Sequence, residues 1–310
     1  MKFEKIIDPI DPSLIIGELE KVGKLRDTRK GGNEIYCVNE HNAPQTLREI
    51  GRLREVTFRE AGGGTGLSCD LDEYDSGPYC YDQLIVWSPE DQEIVGGYRY
   101  KLCREASDEQ GEIHLSTSHY FDFSSKFVSD FLPDTIELGR SWVQPRFQPS
   151  VNLRKGLYSL DNIWDGLGGL VLKYPEIRYF FGKVTMYPSY NREARDFLLH
   201  FMHYYFPDKD RLMLPIQLLE QDYDRAWADE ELKGLDFKEG FKVLNQYVRE
   251  RGENVPPLVN IYMHLSPTMR TFGTAVNKDF GGVEETGILV TIDDIYQDKK
   301  ERHITVRPES

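Results

Sequence analysis

The chain has 310 residues, 38 basic against 52 acidic, and so a formal charge of −14 at pH 7. Nucleic-acid backbones are held by Lys and Arg, so this balance excludes a general nucleic-acid binder. With 39% hydrophobic and 29% charged residues, the composition is that of a folded protein with core enough for one or two domains. No run approaches the ~20 apolar residues of a membrane-spanning helix, and the N-terminal residues lack the apolar stretch of a signal peptide, so a cytoplasmic location is expected. The four cysteines, Cys37, Cys69, Cys80 and Cys103, form no C-x-x-C, so reduced, packed thiols are expected rather than a zinc site or disulfides.

A lead segment runs to residue 33, with an apolar stretch (Leu14, Ile15, Ile16, Leu19), charged residues 24–30 and then Gly31-Gly32. Residues 34–38 read as a strand. Over 43–60, Leu47, Ile50, Leu53 and Val56 recur at i+3 against Arg48, Arg52, Arg54 and Arg59, which predicts an amphipathic helix. The glycine-rich residues 61–66 stop it. They follow a helix and no Lys-Ser/Thr comes after them, so a mobile loop over a substrate is expected rather than a phosphate cradle. Residues 83–88 and 93–102 predict a hairpin around the turn 89–92. After a polar connection, 104–119, come a strand at 135–143, a helix at 159–173 capped by Ser159 or Asp161, a strand at 179–186 and a helix at 191–205. A helix at 237–251 and strands at 258–263 and 287–292 complete the reading. The pattern predicts an α/β fold, a mixed central sheet flanked by helices, with 34–207 as core and 208–310 as an extension packed on it.

The acidic run Asp70-Leu71-Asp72-Glu73-Tyr74-Asp75 reads three ways: a calcium loop, a site for a cationic substrate, or a solvated loop. Tyr74 and Asp75 stand where an EF-hand needs an oxygen ligand and a glycine, which disfavours calcium. The run has company. Arg54 and Phe58 lie on the preceding helix, Val95-Gly96-Gly97-Tyr98-Arg99 on a hairpin strand, and Glu137-Leu138-Gly139-Arg140-Ser141 on a later one, followed by Val143-Gln144-Pro145. In that order these residues resemble the signature of acyl-homoserine-lactone synthases and of the ornithine-lipid and glycine-lipid N-acyltransferases, members of the GNAT acyltransferase superfamily. Ile163-Trp164-Asp165-Gly166, the Pro256-Pro257-Leu258 to Tyr262 segment, and Asp279-Phe280 with residues 286–292 resemble the lipid branch, some of whose members have been named cytolysins.

The resemblance implies a GNAT-like fold and an amide-forming N-acyltransferase. Such an enzyme moves a long-chain, 3-hydroxylated acyl group from acyl carrier protein, or from coenzyme A, to the α-amine of glycine or ornithine. That is the first step of aminolipid synthesis, with a second O-acyltransferase of the pathway as a partner and the inner membrane face as a place of transient contact. No permanently bound cofactor and no metal are expected; His200 and His203, i and i+3 on a helix, lack a third ligand. The superfamily's coenzyme A cradle is replaced by Arg146-Phe147-Gln148-Pro149-Ser150, which favours the carrier-protein donor. The alternatives are an acetyl-CoA-dependent N-acetyltransferase and a non-catalytic acyl- or lipid-binding protein.

By the same resemblance Glu137 is the first choice for the base. Along a strand Glu137 and Gly139 face one side and Arg140 the other, so Glu137 and Arg140 share a pocket only across a bulge, whose N–H would bind the thioester oxygen. Asp72 and Asp75 attract the acceptor's ammonium, and Arg54, Arg99 or Arg140 holds its carboxylate, with Phe58 beside them; the other reading pairs Arg54 with Glu55 or Glu60 on a solvated face. Tyr187 and Tyr190 are acids for the departing thiolate, or ordinary tyrosines. Arg146, Arg154, Lys155 and Lys173 offer a basic patch to the acidic carrier protein, or form a generic surface. Phe121, Phe123, Phe127 and Phe131, with Trp142 and Trp164, line an acyl channel or belong to the core.

Overall fold

The computed structural model describes residues 3–305, so the outermost ends of the expected lead segment and tail lie outside the described residues. The chain forms two compact units. One takes the residues up to Ser116, then Asp134–Ile177 and those from Gln297; the other takes Thr117–Pro133 and Arg178–Tyr296. The division follows neither 33 nor 207, because strand pairing unites distant segments, residues 179–186 with 283–291 among them.

In the first unit, Pro12 and the Asp11 side chain, which accepts from Ser13 N, start helix α1 (Pro12–Val22), whose Ile15 and Leu19 face inward. Strands β1 (Arg26–Asp27) and β2 (Glu34–Val38) follow. Helix α2 (Pro44–Glu60) buries Leu47, Ile50 and Leu53, as its period requires, but also Arg54, Glu55 and Thr57. Strands β3 (Asp82–Ser88) and β4 (Glu93–Leu102) form the expected hairpin. The chain then passes into the second unit for β5 (Phe121–Phe123) and α3 (Ser125–Asp130) before returning for β6 (Thr135–Val143) and α4 (Leu153–Lys173). Helix α4 begins ahead of both expected caps: the Asn152 side chain accepts from Lys155 N. Gly156 lets its first turn lie against Pro149, whose nitrogen would sit 2.3 Å from a Cβ.

The strands of this unit run β1-β2-β3-β4-β6, joined by antiparallel ladders. Side chains alternate across it. Leu84 of β3 meets α4 at Gly166, where a Cβ would lie 2.9 Å from Leu84 Cδ2. Its neighbour Gln83 and the cross-strand partner Arg99 therefore point to the other face, which carries the candidate site.

The second unit continues with β7 (Tyr179–Met186), α5 (Arg192–Tyr205), β8 (Met213–Pro215), α6 (Arg225–Leu232), α7 (Phe237–Glu250), α8 (Pro257–Met263), β9 (Arg270–Asn277) and β10 (Val283–Thr291). Strand β10 lies between β7 and β9, and β5 pairs with β8, again antiparallel. Of the aromatic run Phe121 and Phe127 are buried in the core, the Phe127 ring 5.7 Å from that of Phe181, while Phe123 and Phe131 are part-exposed; Trp142 and Trp164 are buried in the first unit. Residues 258–263 are helical, contrary to the strand expected there. Pro257 presets the first turn and cannot donate to a ladder, and the buried Val259, Tyr262 and Met263 have helical spacing. Strand β9 escapes sequence reading because its buried side chains include Thr271, Thr274 and Asn277.

Helix α9 (Gln297–His303), all polar, returns to the first unit. It docks where α4 has no side chain: a Cβ on Gly168 would lie 2.0 Å from His303 O. His303 Nδ1 and Asp165 Oδ1 are 2.9 Å apart, and Arg26 and Arg29 donate to the His303 and Glu301 carbonyls. Among the described residues no helix is long and apolar enough to cross a membrane. The four cysteines are free thiols, Cys103 buried and the others part-exposed.

Candidate active site

Where β4 pairs with β6, Arg99 stands opposite Gly139 and Gly97 opposite Trp142. Arg140 and Ser141 thus face Tyr98 alone: β6 carries a bulge, and Arg140 adopts the left-handed φ of 46°. The slip turns the Arg140 side chain toward the acidic run, where its Nε donates to Asp70 Oδ2 at 3.1 Å and its Nη2 to Asp72 Oδ2 at 3.3 Å.

Arg54 reaches the same run from α2. Its Nε donates to Asp70 Oδ2 (3.0 Å), and its Nη1 and Nη2 to the two Asp75 oxygens (2.8 and 3.0 Å), all fully buried. Arg99 adds bonds from Nη1 to Asp72 (2.6 Å) and Asp75 (3.4 Å), and Gln83 Nε2 donates to Asp75 Oδ1 at 2.9 Å. Three arginines and three aspartates form one closed network. Burial opposes the charge on Asp70 and Asp75, but the neighbouring guanidiniums, Arg140 and Arg54 at Asp70 and Arg54 and Arg99 at Asp75, hold both carboxyls below the usual range. Arg54, equally desolvated, is kept charged by the same two partners. Neither Glu55 nor Glu60 is its counterion. Phe58 is buried one turn further along α2.

Glu137 lies on the same face of β6 as Gly139 and is fully buried. Its carboxylate accepts from the Ser116 hydroxyl at 2.9 Å and from the Tyr81 hydroxyl, which in turn accepts from Ser116 N at 2.8 Å. Burial, reinforced by Glu137, pushes the Tyr81 phenol far up, so Tyr81 is a permanent donor. The Tyr74 and Tyr81 rings sit 5.5 and 5.2 Å from the Arg99 guanidinium. Neither Tyr81 nor Ser116 belongs to any motif legible in the sequence; both are brought to Glu137 by tertiary folding.

The glycine-rich loop is tied down, not mobile as expected: Glu55 accepts from Thr65 N, Thr65 Oγ and Gly66 N. Tyr187 and Tyr190 stand in the second unit just after β7. The Tyr190 hydroxyl donates to Asn254 O at 2.9 Å, and burial, with Glu285, raises the Tyr187 phenol. Of the four proposed docking cations, Arg146 and Lys155 share Asp91, Arg146 also reaches Glu93, and Arg154 is exposed on the first turn of α4. Lys173 is at the opposite end of that helix, roughly 28 Å off at ~1.5 Å per residue, and does not join them. His200 Nδ1 lies 3.0 Å from the Tyr223 hydroxyl and its Nε2 3.2 Å from Asp229 Oδ1. Asp108, Glu112 and His114, outside the network, bring ligand atoms within 4.8 Å of one another.

Residues 53–155, which include Arg54, the acidic run, Arg99 and Glu137–Arg140, match the acetyltransferase (GNAT) domain family. Fold and site thus define an acyltransferase of the GNAT type, an enzyme. The chain is 52% identical to the glycine N(alpha)-acyltransferase of Bacteroides thetaiotaomicron over 99% of its own length and 91% of that protein's. It is 51% identical to that of Phocaeicola vulgatus over 97% and 93%. The chain belongs to this family of N-acyltransferases. A CoA-dependent acyl-homoserine lactone synthase superposes with a TM-score of 0.41 at 13% identity over 87% of both chains, too slight a likeness to build on.

Proposed function

We propose that the protein acylates glycine, joining a long-chain, 3-hydroxylated acyl group from a thioester to the glycine α-amine as the first step of aminolipid synthesis. The closed ion network beside Glu137 carries this reading. Asp70, Asp72 and Asp75 are matched by Arg54, Arg99 and Arg140, so no aspartate of the run is left for a second ammonium such as ornithine's. The relatives named as glycine acyltransferases point the same way.

In this reading Glu137 takes the acceptor's proton by way of the Tyr81 or Ser116 hydroxyl it already holds. The neutral amine attacks the thioester carbon. The C–N bond forms, the C–S bond breaks, and the bulge presents backbone N–H to the developing oxyanion. The departing thiolate takes the proton that the attacking nitrogen sheds as the amide forms. The donor is acyl carrier protein: at the start of α4 the exposed Arg154 stands with the exposed Val151, Leu153 and Leu157, a cation set in an apolar surface suited to an acidic partner. The 3-hydroxyl awaits a second O-acyltransferase, and the amphipathic product brings the enzyme into transient contact with the inner membrane face.

Mass spectrometry of the purified protein with 3-hydroxypalmitoyl-carrier protein or the matching coenzyme A thioester, offered glycine, ornithine, serine and lysine, tests this. N-acylglycine formed faster from the carrier-protein donor, and lost in Glu137→Ala, is the expected result. Acylation of ornithine alone, or of no amine, refutes the reading.

A further inference from the structure

Resting on that reading, we propose that the acceptor's carboxylate is seated on the Nε edge of Arg99, in the space that Gly139 leaves open. The three arginines of the network are not equivalent. Arg54 spends all three guanidinium nitrogens on Asp70 and Asp75, and Arg140 spends Nε and Nη2 on Asp70 and Asp72. Arg99 makes both of its carboxylate bonds from Nη1. Its Nε is buried without a hydrogen-bond partner among the described residues, although the side chain is only 3% exposed. A buried donor left unpaired bears its full desolvation cost, and a charged one bears more. The site therefore holds an unfilled preference for an acceptor atom.

The surroundings say where that atom comes from. Tyr74 and Tyr81 lie against the guanidinium, leaving its edge. That edge looks at Gly139, where a Cβ would lie 3.4 Å from Arg99 Nε and 3.5 Å from Cγ with nothing else within 4 Å. Gly139 itself is part-exposed. Glu137 shares its face two residues back, about 7 Å away at ~3.3 Å per residue. An α-amino acid, with one carbon between amine and carboxyl, can rest its carboxylate on Arg99 and turn its amine toward Glu137. The ligand class is thus a small α-amino acid, bound by its carboxylate on a guanidinium fork.

Gly139→Ala tests the seat, because its φ is ordinary and its new methyl fits at van der Waals distance while filling the space over Nε. Full-length protein, wild type and variant, is assayed with 3-hydroxypalmitoyl-carrier protein and with glycine or glycinamide, which has the amine but no carboxylate. Glycinamide's less basic amine would favour it if the carboxylate were not recognised. Wild type is expected to prefer glycine by at least about tenfold in kcat/KM. The variant is expected to raise KM for glycine roughly tenfold, with kcat within about twofold and the donor KM unchanged, and to lose the preference. Equal use of the two acceptors by wild type, or an unchanged glycine KM in a variant that melts like wild type, overturns the seat. No acylation of either amine by wild type overturns instead the function on which it rests.

Discussion

Replacing Arg54 by Met keeps an unbranched side chain of similar reach but removes the cation between Asp70 and Asp75. Three buried hydrogen bonds, at 3.0, 2.8 and 3.0 Å, go with it. Charge-assisted bonds are worth about 1.5–3 kcal/mol each, but they do not add, and breaking one partner out of a buried ion pair costs about 3–5 kcal/mol. Asp70 keeps Arg140 and Asp75 keeps Arg99, so the low end, about 3 kcal/mol, applies. With a urea dependence of about 3 kcal/mol per molar, the unfolding midpoint at pH 7 falls by about 1 M. The loss depends on pH with a defined sign. Both carboxyls are held below their unfolded values by Arg54 and its neighbours, so their contribution is complete above the unfolded pKa, near 4, and is lost as pH falls through the folded values. The gap between wild type and Arg54→Met therefore narrows below about pH 4. A variant as stable as wild type at pH 7, or a gap that stays constant to pH 2, refutes the assignment of Arg54 as scaffold rather than acceptor ligand.

Tyr81→Phe removes one donor from Glu137 and the acceptor of Ser116 N; we expect a kcat lower by roughly 10- to 100-fold with KM for glycine little changed, read by steady-state kinetics. Gly168→Val pushes a side chain into the His303 carbonyl, destabilising the α9 contact by about 1–3 kcal/mol, and hydrogen exchange measures it as lost protection over 297–305. Leu153→Asp with Leu157→Asp puts anions on the exposed apolar start of α4. KM for the carrier-protein donor should rise about tenfold while that for the coenzyme A thioester holds, a split that assays with the two donors separate.

Much of this protein is legible in its sequence. The alternation of β3, β4 and β6 and the apolar stripe of α2 are local patterns, and backbone geometry converts them directly into strands and a helix. Glu137, Arg99, Arg140 and the acidic run are named by motif before any folding is known. What they do to one another is not. Periodicity places Arg54 on a polar face, and only the fold closes Asp70 and Asp75 over it and takes it out of water. Strand alternation sends Arg140 away from Glu137, and only the slipped register against β4 returns it to Asp70. Tyr81, Ser116 and helix α9 give no local signal, because their stability lies in partners distant along the chain. The physical reason is common to all of these. Apolar side chains are driven inward by their own hydration, which a sequence displays residue by residue, whereas a charged side chain is buried only when a specific counterion meets it, and that meeting is a property of the folded chain.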